Sequence, residues 1–323
     1  QAERNLVLDG ADAPFDEVRE RAAEAWDAWI GRVELPAVTA SGTPGASVEQ
    51  RAMMATALYR VGLFPARAHE NLGTAERPDP HYASPFHPVD GSSADRTGAR
   101  VLPGELSVNH GFWDTYRTAW PLYVLLDPAR AGRLVDGFVE HYRAAGWTSR
   151  WSSPGPVDSM TGTSLDTVLA HAVDAGVPVD LWSAFDSALR NASVPSPDPR
   201  LGRKGLATSA YRGWVDTRVH EGLTWTLDGA INDLAVARLA RALLEQVPPA
   251  HERRDELVAA VAYFTARAGS YAHVFDIDTG FFIGRDARGR FRKDARDYDP
   301  AVWGFDYTET NGWNFAFHMP YDV

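Results

Sequence analysis

Apolar residues recur at helical spacing over most of the chain. In FDEVRERAAEAWDAWI, residues 15–30, Val18, Trp26 and Trp29 fall on one helix face, and acidic residues occupy the first turn. The same pattern predicts a helix over VEQRAMMATALYRVGL, residues 48–63. Further helices are predicted at 114–126, 129–145, 166–175, 181–191, 227–246 and 252–271.

Two regions interrupt the helical pattern. Residues 64–104 contain six Pro, several Gly and scattered His, and they predict one long loop. Because such long loops in compact domains are usually functional or disordered, we expect this one to form a wall of an active site. Residues 279–291, TGFFIGRDARGRF, have short apolar ends around a turn and predict a small β-hairpin insertion.

Helices that arrive in pairs, with long loops between them, favour an all-α barrel of nested helix pairs over a bundle or a βα-repeat fold. The 323 residues allow one or two domains, and 45% hydrophobic with 23% charged residues is typical of a soluble globular protein. The chain has no Cys, so disulfides and thiolate metal sites are excluded, and secretion or a bacterial cell-surface location stays open.

The charge and hydropathy of the chain indicate which classes of partner it can bind. The net charge of -11 makes nucleic acid an unfavourable partner, because its phosphates are repelled. No apolar run approaches the roughly 20 residues that span a bilayer, so we expect no membrane insertion. The 11 Trp fit either core packing or stacking against sugar rings.

Three segments carry candidate chemistry. The first, residues 109–118, places Trp113, Asp114 and Arg117 at a predicted helix start. Two interpretations of Asp114 are open: it caps the helix, with Arg117 as its surface partner, or it binds sugar hydroxyls beside Trp113. The second, MTGTSLD at 160–166, is a turn whose backbone N–H groups meet a ligand or cap a helix.

The third segment, residues 299–315, combines carboxylates, amides and five aromatic rings. Rings that exclude water from a carboxyl favour its protonated form, which a departing glycosidic oxygen requires. Glu309 is therefore a candidate general acid. The alternative is that Thr308 and Glu309 cap a helix over 312–319.

Residues 276–280, DIDTG, lack the later ligands of a calcium loop and predict a plain turn.

Together these segments resemble glycoside hydrolase family 92. The family pattern WDT(F/Y)RT stands here as WDTYRT at 113–118, MxGTxxD as MTGTSLD at 160–166, and DYTEGNxWQYxxxxPHD as DYTETNGWNFAFHMPYD at 306–322. The flanking helical segments also resemble the family, almost from end to end. Thr310, Gly312, Asn314 and Tyr321 depart from the family pattern.

The resemblance implies an (α/α)₆ barrel and removal of terminal α-linked mannose from glycans, with a calcium ion that engages the sugar and inversion at the anomeric carbon. By position, Glu309 matches the family's acid, and Trp113 and Asp114 match its sugar-binding pair. Asp166 and Asn311 are weaker matches to the pocket. The metal ligands are not assigned.

The resemblance also implies parts that this chain does not contain. Family members carry an N-terminal β-sandwich before this region, and calcium ligands and a GNDD segment with the general base after it. We therefore expect 1–323 to be most of one helical-barrel catalytic domain whose partner is the remainder of a longer polypeptide. Two alternatives are cleavage of mannosyl phosphodiesters and a non-catalytic carbohydrate-binding role.

Overall fold

The computed structural model describes residues 1–8, 10 and 13–322. The chain divides into two compact units: the first comprises 1–84 and 89–110, and the second comprises 85–88 and the chain from 111 onward. None of the described helices is both long and apolar enough to cross a bilayer.

The first unit begins with three helices and continues with short strands. Its elements are α1 (Ala2–Leu8), α2 (Phe15–Ile30), α3 (Val48–Gly62), β1 (Ala66–Arg67), β2 (Glu70–Asn71), β3 (Pro80–Ala83), β4 (Val101–Pro103) and β5 (Ser107–Val108). Strands β2, β3 and β4 form an antiparallel sheet, and β1 pairs with β5. Strand β6 (His110–Gly111) crosses the unit boundary.

Helices α2 and α3 confirm the predictions made from periodicity. The Trp29 indole donates to the Leu58 carbonyl at 2.7 Å, and the Trp26 and Tyr59 rings lie 4.5 Å apart. Ser47 and Gln50 form a capping box that starts α3. The single loop predicted over 64–104 is wrong in part, because that region contains β1 to β4, which are too short to show alternation.

The second unit contains most of the helices. Its elements are α4 (Phe112–Thr115), α5 (Ala119–Leu126), α6 (Pro128–Ala145), β7 (Trp151–Ser152), α7 (Leu165–Asp174), α8 (Leu181–Ser193), α9 (Leu206–Arg212), α10 (Gly222–Gln246), α11 (Arg254–Ala268), a 3₁₀ helix (Gly269–Val274), β8 (Phe275–Asp276), β9 (Phe281–Phe282) and α12 (Gly312–Phe315). The described chain is thus helix-rich with a few small sheets, which is compatible with an all-α fold.

Residues typical of helix ends explain where several helices begin and end. Asp127 accepts a hydrogen bond from the Arg130 N–H at 3.0 Å to start α6, which ends at Gly146 with a left-handed φ of 74°. The single helix predicted over 114–126 is wrong: it is broken into α4 and α5. The break leaves Pro121 in the first turn of α5, where the missing N–H is tolerated.

The predicted hairpin is displaced toward the N-terminus. Strand β8 pairs antiparallel with β9, with Phe275 opposite Phe282. Of the segment 276–280 that we expected to be a plain turn, the first residue belongs to β8 and residues 277–280 form the turn between the strands. Arg285 and Phe291, inside the predicted range, form only an isolated bridge.

Helix α10 lies at the centre of the second unit. It packs against α7, α8 and α11, and most of its residues are buried. A helix that is buried around its circumference is normally apolar on all sides. This one instead buries five polar residues in its first half: Thr224, Thr226, Asp228, Asn232 and Asp233.

A charged network joins α10 to its neighbours. Asp233 accepts hydrogen bonds from Arg203 and from Arg267, the latter at 2.6 Å. Asp166 on α7 is fully buried, accepts from Thr163 at 2.6 Å and from Asn191 at 2.9 Å, and lies 3.7 Å from Arg203. Burial raises the pKa of Asp166 to about 7, and the nearby Arg203 guanidinium only partly opposes that effect.

The raised pKa of Asp166 predicts that the free energy of unfolding depends on pH. The folded protein holds the Asp166 proton up to about pH 7, whereas the unfolded chain releases it near its ordinary value of 3.8. The stability contributed by the neutral acid is therefore complete below pH 3.8 and is lost as the pH rises toward 7. Relative to Asp166→Asn, which cannot ionise, the wild type should lose about 3–4 kcal/mol across this window, measured by urea unfolding.

The matched control is Asp255→Asn, because Asp255 is an exposed carboxylate in the first turn of α11. It should leave the pH dependence of the unfolding free energy as in the wild type. A constant difference between wild type and Asp166→Asn from pH 4 to pH 7 would contradict the assignment.

Candidate active site

A polar stripe on α10 organises the site. Thr224, Asp228 and Asn232 are spaced four residues apart, so they lie on one face of the helix, and all three are buried. Buried polar groups need hydrogen-bond partners, and these three find them in segments of the second unit that are distant from α10 in sequence.

Asp228 has the largest set of partners. Its carboxyl accepts hydrogen bonds from the Trp113 indole N–H at 3.0 Å and the Thr161 hydroxyl at 2.6 Å, and its other oxygen lies 2.7 Å from Nε2 of His318. His318 is also buried, and its ring stacks on Phe315 with centroids 4.3 Å apart. One side chain thus joins the first two candidate segments, through Trp113 and Thr161, to His318, which follows the third segment at 299–315.

The 160–163 turn is held against this face. The Thr163 N–H donates to the Asn232 side-chain oxygen at 2.7 Å. Gly162 has a φ of 71°, and a Cβ at this position would lie 2.8 Å from the Asp228 Cβ. Only glycine combines this conformation with so close an approach to α10.

Thr224 fixes the segment that leads to Glu309. Its hydroxyl donates to the Asp306 carbonyl at 3.1 Å and accepts from the Thr308 N–H at 2.9 Å. Thr308 also lies 3.4 Å from the Thr161 hydroxyl, which connects this segment to the 160–163 turn. The backbone immediately before Glu309 is therefore anchored to α10.

Glu309 lies at an open pocket of about 280 Å³. The pocket is also lined by Asp158, Met160, Lys204, His220, Glu221, Trp225 and Thr308. Five non-glycine residues in the described chain have a positive φ, and three of them line this pocket: Met160 at 56°, Glu221 at 57° and Glu309 at 48°. Strained backbone of this kind clusters at functional sites.

The surroundings of Glu309 differ from the sequence expectation. Its side chain is exposed, so the predicted enclosure by aromatic rings is wrong. The neighbouring rings pack elsewhere: Tyr307 donates to the Phe282 carbonyl at 2.6 Å, and Trp313 contacts Phe281 at 4.9 Å. Among the described residues, no hydrogen bond or ion pair engages the Glu309 carboxyl. It is available to a ligand in the pocket.

The helix-capping alternative for Glu309 is also wrong. Asn311 is the N-cap of α12, and its side chain accepts from the Asn314 N–H at 3.3 Å. The helix extends only to Phe315 rather than to residue 319. The structure therefore gives Asn311 a capping role and shows no direct place for it in the pocket that contains Glu309.

The two residues of the predicted sugar-binding pair, Trp113 and Asp114, differ in how the protein holds their side chains. Trp113 is half-buried and is held by Asp228, whereas Asp114 is exposed within α4. Asp114 is not an N-cap, because Gly111 occupies that position, and Arg117 contacts the Tyr116 ring and hydroxyl instead of forming the expected surface pair. The Asp114 carboxylate is thus left facing solvent on a short helix.

The prediction that Asp166 contacts the substrate needs correction. Its carboxyl is fully enclosed and is occupied by Thr163, Asn191 and Arg203. A residue in this position supports the 160–163 turn and is not exposed to a sugar. Sequence reasoning missed it because an acid in the first turn of a helix is usually solvent-exposed.

Sequence reasoning also missed five residues of the site. Thr161 and His318 lie inside the quoted motifs and Asp228 lies inside the predicted helix 227–246, but none of them was assigned a role, and Lys204 and Glu221 were not singled out. For Asp228 a signal exists: polar residues at every fourth position of an apolar helix indicate a buried polar face. For Glu221 we find no such signal.

The family model and the solved structures point to the same family. The model of the glycosyl hydrolase family 92 catalytic domain matches residues 1–323. The family GH92 inverting mannosidase BT2199 from Bacteroides thetaiotaomicron VPI-5482 is similar in structure, with a TM-score of 0.81, 26% identity, and coverage of 98% of this chain and 38% of that chain. A search of curated proteins found no significant match.

A second solved protein shows the same fold. The family GH92 α-mannosidase BT3965 from Bacteroides thetaiotaomicron matches with a TM-score of 0.72, and its complex with mannoimidazole matches with 0.73. Both share 20% identity and cover 99% of this chain. This chain spans 38% of the length of each of these solved chains. The match of the family model over the whole sequence shows that the chain belongs to glycosyl hydrolase family 92.

Proposed function

We propose that this protein is an exo-acting α-mannosidase that removes terminal α-linked mannose from glycans with inversion, and that Glu309 is its general acid. The pocket carries the proposal: three strained residues converge on it, and Glu309 reaches it with an unengaged carboxyl. The structural relatives support the choice of mannose, since they are mannosidases and one of them forms a complex with mannoimidazole.

The chemistry assigned to Glu309 is protonation of the departing glycosidic oxygen. A general acid must lie within hydrogen-bond distance of the atom that it protonates, and the anchored backbone at Thr308 holds Glu309 at the pocket. Inversion also needs a second carboxylate roughly 6.5–9.5 Å from the acid to activate water. We propose, as the family resemblance implies, that this base comes from outside the residues described above.

Trp113 and Asp114 are the proposed sugar-binding pair. The indole N–H of Trp113 is used by Asp228, which leaves the ring itself for stacking against the apolar face of a pyranose. Asp114 is exposed and can accept hydrogen bonds from two neighbouring sugar hydroxyls. A ring and a carboxylate on adjacent residues suit one monosaccharide with an apolar face and a polar edge.

The (α/α)₆ barrel over 1–323 and the calcium ion are parts of the proposal that depend on the family resemblance. Within the described ranges, no group of three or more His, Asp or Glu side chains could hold a metal ion. Calcium therefore does not fit the residues of this pocket by themselves, and no step assigned to Glu309, Trp113 or Asp114 depends on it.

The charges of the pocket favour a neutral glycoside over a mannosyl phosphodiester. Asp158, Glu221 and Glu309 contribute three carboxylates, whereas Lys204 and His220 are the facing basic side chains. Lys204 is already paired with Asp158 at 2.7 Å. A phosphate group would meet net negative charge here, and electrostatics therefore oppose that alternative.

Replacement of Glu309 by Gln tests the acid. The variant keeps its size but cannot donate the proton, so turnover of an α-mannobiose should fall about 10²–10⁴-fold. An activated aryl mannoside, whose leaving group needs little protonation, should lose much less. The measurement is kcat/KM of the full-length protein on both substrates. Glu245→Gln, an exposed acid near the end of α10, is the control. Equal losses on both substrates would show that Glu309 only maintains the site.

Replacement of Asp114 tests the sugar contact. Asp114→Ala should weaken mannose binding by about 1.5–3 kcal/mol, because charge-assisted hydrogen bonds are lost. Asp114→Asn should recover part of the affinity, since the amide retains one acceptor. Calorimetric titration with mannose measures both variants. Wild-type affinity in a folded Asp114→Ala protein would remove Asp114 from the binding site.

Metal removal tests the calcium proposal. A strong chelator should abolish activity of the full-length protein on α-mannosides, and added calcium should restore it. Magnesium should restore it poorly, because it demands near-ideal octahedral geometry and binds fewer protein ligands. Full activity in chelator would eliminate a metal requirement, and binding of mannose without any hydrolysis would favour the non-catalytic carbohydrate-binding role.

A further inference from the structure

One hydrogen bond orients the Trp113 indole. Its Nε1 donates to a carboxyl oxygen of Asp228 at 3.0 Å, and within the described chain no other side-chain hydrogen bond and no ring or guanidinium contact holds the indole. Helix α4, which carries Trp113, has four residues and no side-chain N-cap. A helix this short has little stability of its own, so contacts with the rest of the protein must orient its side chains.

Asp228 is itself fixed on a rigid element. It lies in the 25-residue helix α10 and is only 2% exposed. The oxygen that accepts from Trp113 also accepts from the Thr161 hydroxyl at 2.6 Å, and the other oxygen lies 2.7 Å from Nε2 of His318. Contacts at both oxygens restrict rotation of the carboxyl, so the hydrogen bond to Trp113 has a defined direction.

This hydrogen bond restrains the indole without occupying a face of its ring. Trp113 is half-buried, and the bond to Asp228 is made at the ring edge, because the N–H lies in the ring plane. The C–H groups of a pyranose stack against the face of such a ring. A ring that is not held in advance loses freedom when a sugar binds, and that loss lowers the affinity.

A purely structural role for Asp228 does not explain the contact with Trp113. Without the indole, each carboxyl oxygen still has a buried partner, which is Thr161 for one oxygen and His318 for the other. Burial of the carboxyl is therefore already satisfied by these two residues. The bond to Trp113 is a third contact, and it reaches the ring to which the proposed function assigns the sugar.

We propose that Asp228 is a positioning residue for sugar binding, which acts through Trp113 by holding the indole as a preorganised platform for the terminal mannose. This inference rests on the proposed function of Trp113. Asp228 is enclosed and does not touch the sugar, so its effect on affinity passes through the indole. Because the platform contacts the mannose and not the leaving group, substrates with different leaving groups should be affected alike.

The test is a double-mutant cycle on mannose affinity, measured by calorimetric titration of the full-length protein. Asp228→Ala should weaken mannose binding about three- to tenfold, which corresponds to the ordering of one side chain. In a Trp113→Phe background no N–H is left for Asp228 to hold. There the same Asp228→Ala change should alter the affinity by less than about twofold.

Replacement of Trp113 by β-(3-benzothienyl)alanine sharpens the test, because sulfur takes the place of the N–H while the bicyclic ring is kept. This protein should bind mannose as weakly as Asp228→Ala does, and adding Asp228→Ala should weaken it no further. Both changes should raise KM by the same factor for an α-mannobiose and for 4-nitrophenyl α-mannoside. Glu309→Gln, by contrast, should distinguish these two substrates.

Thr226→Val is the matched control. Thr226 is buried on α10 two residues before Asp228, and its hydroxyl donates to the Gly222 carbonyl at 2.9 Å and accepts from the Val215 N–H at 2.9 Å. Its loss should lower the free energy of unfolding and leave mannose affinity at the wild-type value. If Asp228→Ala does not fold, the benzothienylalanine protein decides the question, because it leaves Asp228 in place.

An equal loss from Asp228→Ala with and without Trp113→Phe would overturn the proposal, since a structural role acts whatever residue stands at position 113. Wild-type affinity in the benzothienylalanine protein would overturn it as well. If the wild type did not bind mannose, the proposed function would fail instead. The two failures are distinguishable, because only the first leaves a wild type that binds the sugar.

Discussion

The buried carboxyl of Asp228 is the group on which the arrangement of the site depends. A polar group in a close-packed interior is costly unless it is hydrogen-bonded, and this one is engaged by Trp113, Thr161 and His318. Each partner comes from a different segment, separated from Asp228 by between 67 and 115 residues. Satisfying one carboxyl therefore fixes three distant segments of the chain around one helix.

The same principle extends along α10 and explains how the pocket retains its strained backbone. Thr224 binds the segment before Glu309, and Asn232 binds the turn after Met160. Left-handed conformations at non-glycine residues cost about 1–3 kcal/mol each and persist only where the surroundings impose them. Hydrogen bonds to a rigid helix on the adjoining residues supply that constraint for both Met160 and Glu309.

Much of the helical framework could be predicted from the sequence, because amphipathic periodicity marked α2, α3 and α6 closely. The start of α10 was placed five residues late, since Gly222 to Thr226 is too rich in Gly and hydroxyl residues to show an apolar pattern. The strands within 64–104 were missed because two to four residues cannot display alternation.

For the site, the motifs identified Glu309 and the 160–166 turn, but sequence cannot show which acids are enclosed. Asp166 and Asp114 both look like acids at helix starts, yet one is fully buried and the other is exposed. The difference arises from partners that are far apart in sequence. Asp166 is covered by Asn191 and Arg203, whereas no described residue forms a comparable contact with the Asp114 side chain.

The depth of the polar network decides how precisely the pocket is held. Next to the polar stripe on α10, Asp233 binds Arg203. The Arg203 guanidinium in turn donates to the Thr163 hydroxyl at 3.2 Å. Thr163 also binds Asn232. The 160–163 turn is therefore held both by the polar stripe on α10 and by the charged network of Arg203 and Asp233. Linked hydrogen bonds in a low-dielectric interior reinforce one another. A ligand that enters the pocket thus meets a preorganised wall at Met160, and its binding energy is not needed to order that turn.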